Sequence, residues 1–128
     1  MREILYRGKR KVNEEWAYGF PFVSRKGEYK IKWYDPRYGS AKTSEVHPNT
    51  VGQFTGLYDK NDKRIYEGDI LKFSSISQYP VFWDSDYQAF GSCYYKDFDY
   101  LTSYDMRKIE VVGNIHDNPD FLEKFKED

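Results

Sequence analysis

Cysteine, histidine and long apolar runs are scarce in this sequence. Its 128 residues include a single cysteine, Cys93, which excludes an intramolecular disulfide scaffold. No apolar run approaches the about 20 residues that a membrane-spanning helix needs, so we expect no membrane partner. Residues 1–6 lack the apolar core of a signal peptide. Together these absences predict a soluble protein of a reducing, cytoplasmic compartment.

Aromatic and charged side chains are abundant instead. Aromatic residues form 20% of the chain and charged residues 32%, and this mixture excludes a disordered segment, which would be poor in aromatics. The length favours one compact unit, or two small ones that share a core.

Charge is divided unevenly along the chain. Residues 1–50 carry 11 basic and 6 acidic side chains, whereas residues 51–128 carry 9 and 15. One interpretation is attraction between oppositely charged surfaces, within one molecule or between copies in an oligomer. The other is that the basic half meets a polyanion.

Short β-type runs separated by turn residues dominate the pattern. Large side chains alternate in residues 15–20 and 28–34, whereas a helical pattern is found only near the end, in residues 120–126. Pro21 has no backbone N–H to donate, so we do not expect a strand that is paired on both sides at this position. We predict a mainly β protein, with short strands forming one or more small, partly open SH3-like barrels, and a short C-terminal helix.

Two subdomains are predicted, separated near residues 47–49. Residues 1–49 form an N-terminal, net basic β subdomain. Residues 50–128 form a C-terminal, net acidic subdomain that resembles a small β-barrel and ends in the short helix.

Four sequence blocks resemble the YopX family: TVGQFTGLYDKN at 50–61, IYEGDI at 65–70, VVGNIHDNP at 111–119, and RGKR with EWAYG at 7–10 and 15–19. The resemblance implies a mainly β protein of phage or prophage origin, in a bacterial host, for which self-assembly is one option. It implies no enzymatic activity. The motif residues expected to have structural roles are Gly52, Gly56, Tyr66, Glu67, Gly68, Asp69, Gly113, Asn114, Asp117, Asn118 and Pro119.

Catalytic and metal-binding candidates are few. Glu67 and Asp69 would face the same side of a strand, but acid–base catalysis needs two environments that separate their pKa values, so turn capping is the preferred interpretation. His47 and His116 are too few for a metal site, and Cys93 has no local catalytic motif. Glycines at 52 and 56 lack the following Lys-Ser/Thr pair of a phosphate cradle. We expect no enzyme, cofactor or metal; convergence of Glu67, Asp69 and His116 is the weakest hypothesis.

Basic and aromatic residues alternate in the first half, which is typical of surfaces that bind single-stranded nucleic acid by stacking. The opposing interpretation is that the rings form the core and the cations a solvated face. The candidate contacts are Lys9, Arg10, Lys11, Trp16, Lys30, Lys32 and Trp33.

Residues 84–105 combine five aspartates with seven Tyr and Phe residues. This segment is either a protein-recognition patch or DNA mimic, or a loop that the acids keep soluble. We predict a non-enzymatic β module that binds protein, either itself or a host or phage protein. A nucleic-acid-binding accessory protein is the alternative.

Overall fold

The computed structural model describes residues 3–94 and 97–127 of the chain. It confirms a mainly β protein with antiparallel sheets and one α-helix at the C-terminal end. Three 3-10 turns lie at Pro48–Thr50, Leu101–Ser103 and Met106–Lys108. The strands are β1 (Tyr6–Lys9), β2 (Trp16–Val23), β3 (Tyr29–Asp35), β4 (Ser40–Glu45), β5 (Gly52–Tyr58), β6 (Arg64–Tyr66), β7 (Asp69–Lys72), β8 (Gln78–Pro80), β9 (Phe82–Asp84), β10 (Ala89–Tyr94), β11 (Asp97–Tyr100) and β12 (Glu110–Asn114), and the helix is α1 (Pro119–Glu127).

None of the sheets in the described part of the chain closes into a barrel, so the SH3-like barrel is not confirmed. The chain divides into two compact units, Met1–Phe54 (unit 1) and Thr55–Asp128 (unit 2). Across residues 3–94 and 97–127, no helix combines the length and hydropathy needed to cross a bilayer.

Unit 1 is an antiparallel sheet with strand order β4-β3-β2-β1-β5. A single bridge, Arg10 with Val46, joins the chain beyond the ends of β1 and β4. One side of the sheet is covered by a small core of Ala17, Ile31 and Val46. Ala17 and Ile31 share this side because alternating residues of a strand point to opposite faces, and Val46, which follows β4, packs against them.

Two residues explain how β2 fits into unit 1. Gly19 must lack a side chain, since a Cβ there would overlap the carbonyl oxygen of Lys32. Pro21 lies where β2 has a strand on one side, because β1 pairs with residues 16–19 and β3 with residues 20–23. This placement agrees with the expectation that proline avoids a strand paired on both sides.

Unit 2 contains two three-stranded antiparallel sheets, with orders β12-β7-β8 and β11-β10-β9. Its core is larger than that of unit 1, and each apolar side chain buried there contributes about 1.5–3 kcal/mol. The buried core residues are Ile65, Leu71, Val81, Leu101, Ile109 and Val111.

A buried carboxylate joins distant parts of unit 2. The Asp59 side chain, 5% exposed, follows β5 and accepts hydrogen bonds from the backbone N–H groups of Asn61 (2.8 Å), Lys63 (2.9 Å) and Val111 (3.0 Å). It therefore shapes the turn before β6 and also holds the start of β12 against that turn.

Candidate macromolecule-binding surface

Strand β2 presents large aromatic side chains to solvent. Ala17 and Gly19 are buried, whereas Tyr18, Phe20 and Phe22, at the alternate positions, are exposed. Because residues two apart on a strand share a face, these three rings lie in one row on the uncovered side of the sheet.

Strand β3 adds charge to the same side. Phe20 is directly opposite Lys32, and Phe22 is opposite Lys30. Directly opposed residues of antiparallel strands lie on the same face, and Tyr34, two residues after Lys32, continues it. We call this surface the aromatic–basic face: Tyr18, Phe20, Phe22, Lys30, Lys32 and Tyr34.

The aromatic–basic face is open to solvent and lined by apolar atoms. Phe20 is 58% exposed and Tyr34 65% exposed. A shallow groove of about 420 Å³ runs between these rings and is also lined by Tyr18, Lys32 and Ala41. A contiguous row of exposed rings is typical of a surface that a ligand or partner covers.

The two tryptophans expected to stack on bases contact arginine side chains. Trp16 shares one face of β2 with Tyr18 and Phe20, and Trp33 is among the residues that line the groove. The guanidinium of Arg7 lies 4.4 Å from the ring centroid of Trp16, and that of Arg10 lies 5.5 Å from the ring of Trp33. Both rings are half-buried, and Trp33 packs against the core of unit 1. Lys9 is opposite Trp16 in the sheet. The structure thus places the predicted tryptophans in cation–π contacts within unit 1.

The predicted N-terminal cations interact with β4. The ammonium of Lys11 contacts the carboxylate of Glu45 (2.9 Å), and Nε of Arg10 donates to the hydroxyl of Ser44 (2.9 Å). The hydrogen bond from Lys11 holds the pKa of Glu45 below its usual value. The two predicted lysines of β3, by contrast, lie on the aromatic–basic face.

Sequence reasoning assigned no role to Phe22 or Tyr34, which form much of this surface. Alternation already placed Tyr18 and Phe20 on one face of a strand. Periodicity could not say whether that face was covered, because burial depends on what the rest of the chain packs against.

A second aromatic surface lies on sheet β11-β10-β9 of unit 2. Gly91 pairs with Phe82 on one side and with Tyr100 on the other, so these rings share a face. A Cβ at Gly91 would overlap the ring of Phe98, which therefore lies directly over the glycine. Tyr87 stacks on Phe98, with centroids 4.7 Å apart and planes 4° apart.

Acidic residues border this second surface at the β9–β10 turn. Asp84 accepts hydrogen bonds from the backbone N–H groups of Asp86 (2.9 Å) and Tyr87 (3.0 Å), and Asp86 is exposed. We call this surface the acidic aromatic cluster: Phe82, Asp84, Asp86, Tyr87, Phe98 and Tyr100.

The rest of the predicted acidic segment is engaged locally. Asp99 accepts from the hydroxyl of Tyr104 (2.9 Å), and the guanidinium of Arg107 holds the pKa of Asp105 below its usual value. Phe90 packs against the core of unit 2. Outside the described part of the chain lie Tyr95 and the side chains of Cys93, Tyr94 and Asp97.

Two sequence blocks of the YopX resemblance are neighbours in space. Strands β7 and β12 pair, with Asp69 opposite Asn114. Asp69 is 2% exposed and accepts from the backbone N–H of Tyr66 (2.7 Å), which closes the turn at Glu67 and Gly68. Gly68 has φ of 92°, a conformation that favours glycine.

Asn114 organises the chain between β12 and α1. Its Oδ1 accepts from the backbone N–H groups of His116 (3.0 Å) and Asp117 (2.8 Å), and its Nδ2 donates to the Asp117 carboxylate (2.9 Å). The side chain of Asn118 accepts from the backbone N–H of Asn114 (3.1 Å). Pro119 then begins the helix, a position that proline favours.

The remaining glycines and the first histidine occupy separate places. Gly52 pairs with β1, Gly56 has φ of 90°, and Gly113 follows an irregularity in the pairing of β12 with β7. Nε2 of His47 lies 2.8 Å from the carboxylate of Glu14.

The residues of the catalytic hypothesis lie around one turn. Nε2 of His116 is 3.3 Å from the point where a Cβ of Gly68 would be, between Glu67 and Asp69 in sequence. The carboxylate of Asp69, however, is directed to the backbone of its own turn. Among the described residues, no group of three or more His, Cys, Asp or Glu side chains is arranged to hold a metal ion.

Comparison with known proteins gives a fold and a family. No curated protein matches the chain. Among solved structures, the crystal structure of protein EF1440 from Enterococcus faecalis is similar, with 18% identity and a TM-score of 0.57 over 95% of this chain and 99% of the other. At this identity, the likeness shows the fold alone.

The resemblance seen in the sequence blocks is confirmed over nearly the whole chain. The model of the family described as YopX protein matches residues 5–123. These residues include all the blocks identified from the sequence and both aromatic surfaces. This chain therefore belongs to the YopX family.

Proposed function

We propose that this protein is a non-enzymatic β module that assembles with further copies of itself through the aromatic–basic face. The observation that carries the proposal is the row of exposed rings on β2 and β3 with lysines in register beside them. The proposal keeps the setting expected from the sequence, the cytoplasm of a bacterium that carries a phage or prophage.

Covering the rings of this face would contribute several kcal/mol to the free energy of association. Each aromatic side chain buries about 150–250 Å² when it is fully covered. At about 25 cal/mol per Å², covering half of the surface of one ring contributes about 2–3 kcal/mol before the costs of association. Tyrosine and phenylalanine are also the side chains enriched in protein interfaces.

The overall charge favours another copy of the chain as the occupant. The face carries Lys30 and Lys32, and residues 1–50 have an excess of five basic side chains. Residues 51–128 have an excess of six acidic ones, so each molecule supplies a counterpart for the basic face of another. Encounter between unlike charges is faster than between like charges.

Two turn residues of the family-like blocks have structural contacts. Asp69 and Asn114 accept hydrogen bonds from backbone groups of the Glu67 turn and the β12–α1 connection, and Asn114 also donates to the carboxylate of Asp117. Side chains used in this way stabilise the fold.

The test is light scattering combined with sedimentation over a concentration series up to about 100 μM, where dissociation constants weaker than about 1 μM are detected. The wild-type chain should form oligomers, and the double variant Phe20→Ala/Tyr34→Ala should weaken association by about 10-fold or more. Tyr38→Ala is the matched control, because Tyr38 is 66% exposed, like Tyr34 at 65%, but lies in the turn after β3.

Two results would overturn self-assembly through this face. One is a wild-type chain that remains monomeric over the whole series. The other is an oligomer that the double variant and the Tyr38 control weaken equally, because the contact would then not depend on the aromatic–basic face.

Single-stranded nucleic acid is the second candidate partner, favoured by the pairing of Lys32 with Phe20 and Lys30 with Phe22. Rings that stack on bases contribute about 1–3 kcal/mol each, and the lysines would contact phosphates. Binding to a labelled oligothymidine should then fall steeply when salt rises from about 50 to 200 mM, and Phe20→Ala should weaken it. No binding at the lower salt concentration would eliminate this candidate.

A further inference from the structure

The aromatic–basic face needs a counterpart on the second copy, and this inference rests on the proposed self-assembly. We infer that the counterpart is the acidic aromatic cluster on sheet β11-β10-β9 of unit 2. Each copy would then offer its aromatic–basic face to one neighbour and its acidic aromatic cluster to another, in a head-to-tail contact.

The acidic aromatic cluster has the charge that this role requires. Between Lys72 and Arg107 the sequence contains five aspartates, of which Asp105 contacts Arg107, and a single basic residue, Lys96. Asp86, at the tip of the β9–β10 turn, is exposed beside Tyr87. A partner that approaches the rings of this surface therefore meets negative charge.

Two rings of the acidic aromatic cluster remain exposed and could be covered by a partner. Tyr87 is 55% exposed and Tyr100 46% exposed, although both contact Phe98, with Tyr87 stacked on it and Tyr100 edge-on at 5.4 Å. The stacking holds these side chains in place, so little conformational entropy is lost when a partner covers them. Preorganised aromatic side chains of this kind are typical anchors of protein interfaces.

The positive charge of the aromatic–basic face follows from the residues around it. No acidic residue occurs between Glu15 and Glu28, the stretch that contains β2. On β4, Glu45 is directly opposite Lys30 and lies on the same side of the sheet, but its carboxylate contacts the ammonium of Lys11 (2.9 Å). Because Lys11 balances the charge of Glu45, Lys30 and Lys32 leave the aromatic–basic face with a positive charge.

Charge decides between the possible pairings. An isologous contact would place each surface against its own copy, bringing Lys30 and Lys32 near the same lysines or Asp86 near the same aspartate. Like charges in contact cost free energy, whereas the head-to-tail pairing brings unlike charges together. Repeated head-to-tail contacts form a ring if the rotation between successive copies closes, and a filament if it does not.

Complementation between two defective variants tests this pairing. The first variant, Lys30→Glu/Lys32→Glu, disables the aromatic–basic face, and the second, Asp86→Lys/Tyr100→Ser, disables the acidic aromatic cluster. Each variant alone should be monomeric in sedimentation at concentrations where the wild-type chain assembles. An equimolar mixture should form one-to-one heterodimers that grow no further, because each variant retains one working surface.

Two additional variants control for the change in net charge and for misfolding. Arg25→Glu/Lys26→Glu changes the net charge as much as the lysine variant does, but in the exposed hairpin between β2 and β3, and should assemble like wild type. Asp86→Lys alone changes one exposed turn residue. It should weaken assembly about 10-fold, which keeps the test decisive if the Tyr100 substitution prevents folding.

The outcomes separate the inference from the proposed function. If the wild-type chain assembles and the acidic-cluster variants assemble equally well, the cluster is not the counterpart, and the aromatic–basic face remains the assembly surface. A mixture that stays monomeric, or an assembly unaffected by salt, also overturns the head-to-tail pairing. A wild-type chain that never assembles refutes the proposed function itself.

Discussion

Replacing Asp59 by asparagine should destabilise unit 2 by about 2 kcal/mol at neutral pH, and the loss should disappear in acid. The carboxylate is 5% exposed and accepts three backbone hydrogen bonds, from Asn61 and Lys63 to Oδ1 and from Val111 to Oδ2. Asparagine keeps one acceptor oxygen and places an NH2 group where Oδ2 was. The N–H of Val111 is then left buried without an acceptor, a loss of about 1–3 kcal/mol.

The pH dependence follows from the pKa of the same group. Burial alone would raise the pKa of Asp59, but the backbone N–H donors of Val111, Lys63 and Asn61 outweigh it and hold the pKa below its usual value. A lowered carboxyl pKa stabilises the folded state at pH values above the unfolded pKa of about 3.9, and this stabilisation is lost as pH falls through the folded value. The wild-type chain and Asp59→Asn should therefore differ fully above about pH 5, and the difference should shrink as pH falls through the lowered pKa of Asp59.

The assay is urea unfolding followed by circular dichroism over a pH series from about 7 down to about 2. Asp62→Asn is the matched control, because Asp62 lies in the same turn but is exposed, and its φ of 60° suits asparagine. The control should stay within about 0.5 kcal/mol of wild type. An unchanged midpoint for Asp59→Asn at neutral pH, or a difference that persists in acid, would refute the reasoning.

Two further predictions concern single side chains in the sheets. Gly19→Ala places a methyl group onto the Lys32 carbonyl oxygen and should destabilise unit 1 by about 2 kcal/mol or more, whereas Gly27→Ala, at φ of 84° in open space, should cost about 1 kcal/mol. Equal midpoints for the two variants in urea unfolding would contradict the close approach of β2 and β3. Asn114→Asp brings a second carboxylate against that of Asp117, now 2.9 Å from the Asn114 amide, and should lower the unfolding temperature at neutral pH but much less below about pH 4. A loss that is independent of pH would show that charge repulsion is not its cause.

The two aromatic surfaces differ in how their rings are held. On the acidic aromatic cluster, Tyr87 and Phe98 stack on one another over Gly91. On the aromatic–basic face, Phe20 and Tyr34 stand beside a groove, with lysine as the neighbour in register. One surface is thus a preformed aromatic platform and the other an open row, a combination that suits a contact between unlike surfaces.

Much of the fold could be predicted from local pattern. Alternating side chains in residues 15–20 and 28–34 predicted the strands that became β2 and β3, and the apolar spacing in 120–126 predicted α1. The order in which the strands pair could not be predicted in this way. It depends on pairing between residues far apart, such as Asp69 with Asn114, and periodicity carries no information on such pairing.

The candidate site was harder to predict for a related reason. Trp16 and Trp33 are of the residue type expected to stack on bases, but the guanidinium groups of Arg7 and Arg10 lie over their rings within unit 1. Trp16 lies at the same alternate positions of β2 as the exposed Tyr18 and Phe20, so periodicity could not predict which of these rings contacts an arginine from another part of the chain.

The sequence by itself determined the mainly β class, the terminal helix and membership of the YopX family, because these depend on local periodicity and on the order of short motifs. The tertiary structure alone decided which rings face solvent, which lysines stand beside them, and that β7 lies against β12. The physical reason is that a strand's sequence specifies its two faces, whereas burial of one face requires a partner surface built from distant parts of the chain.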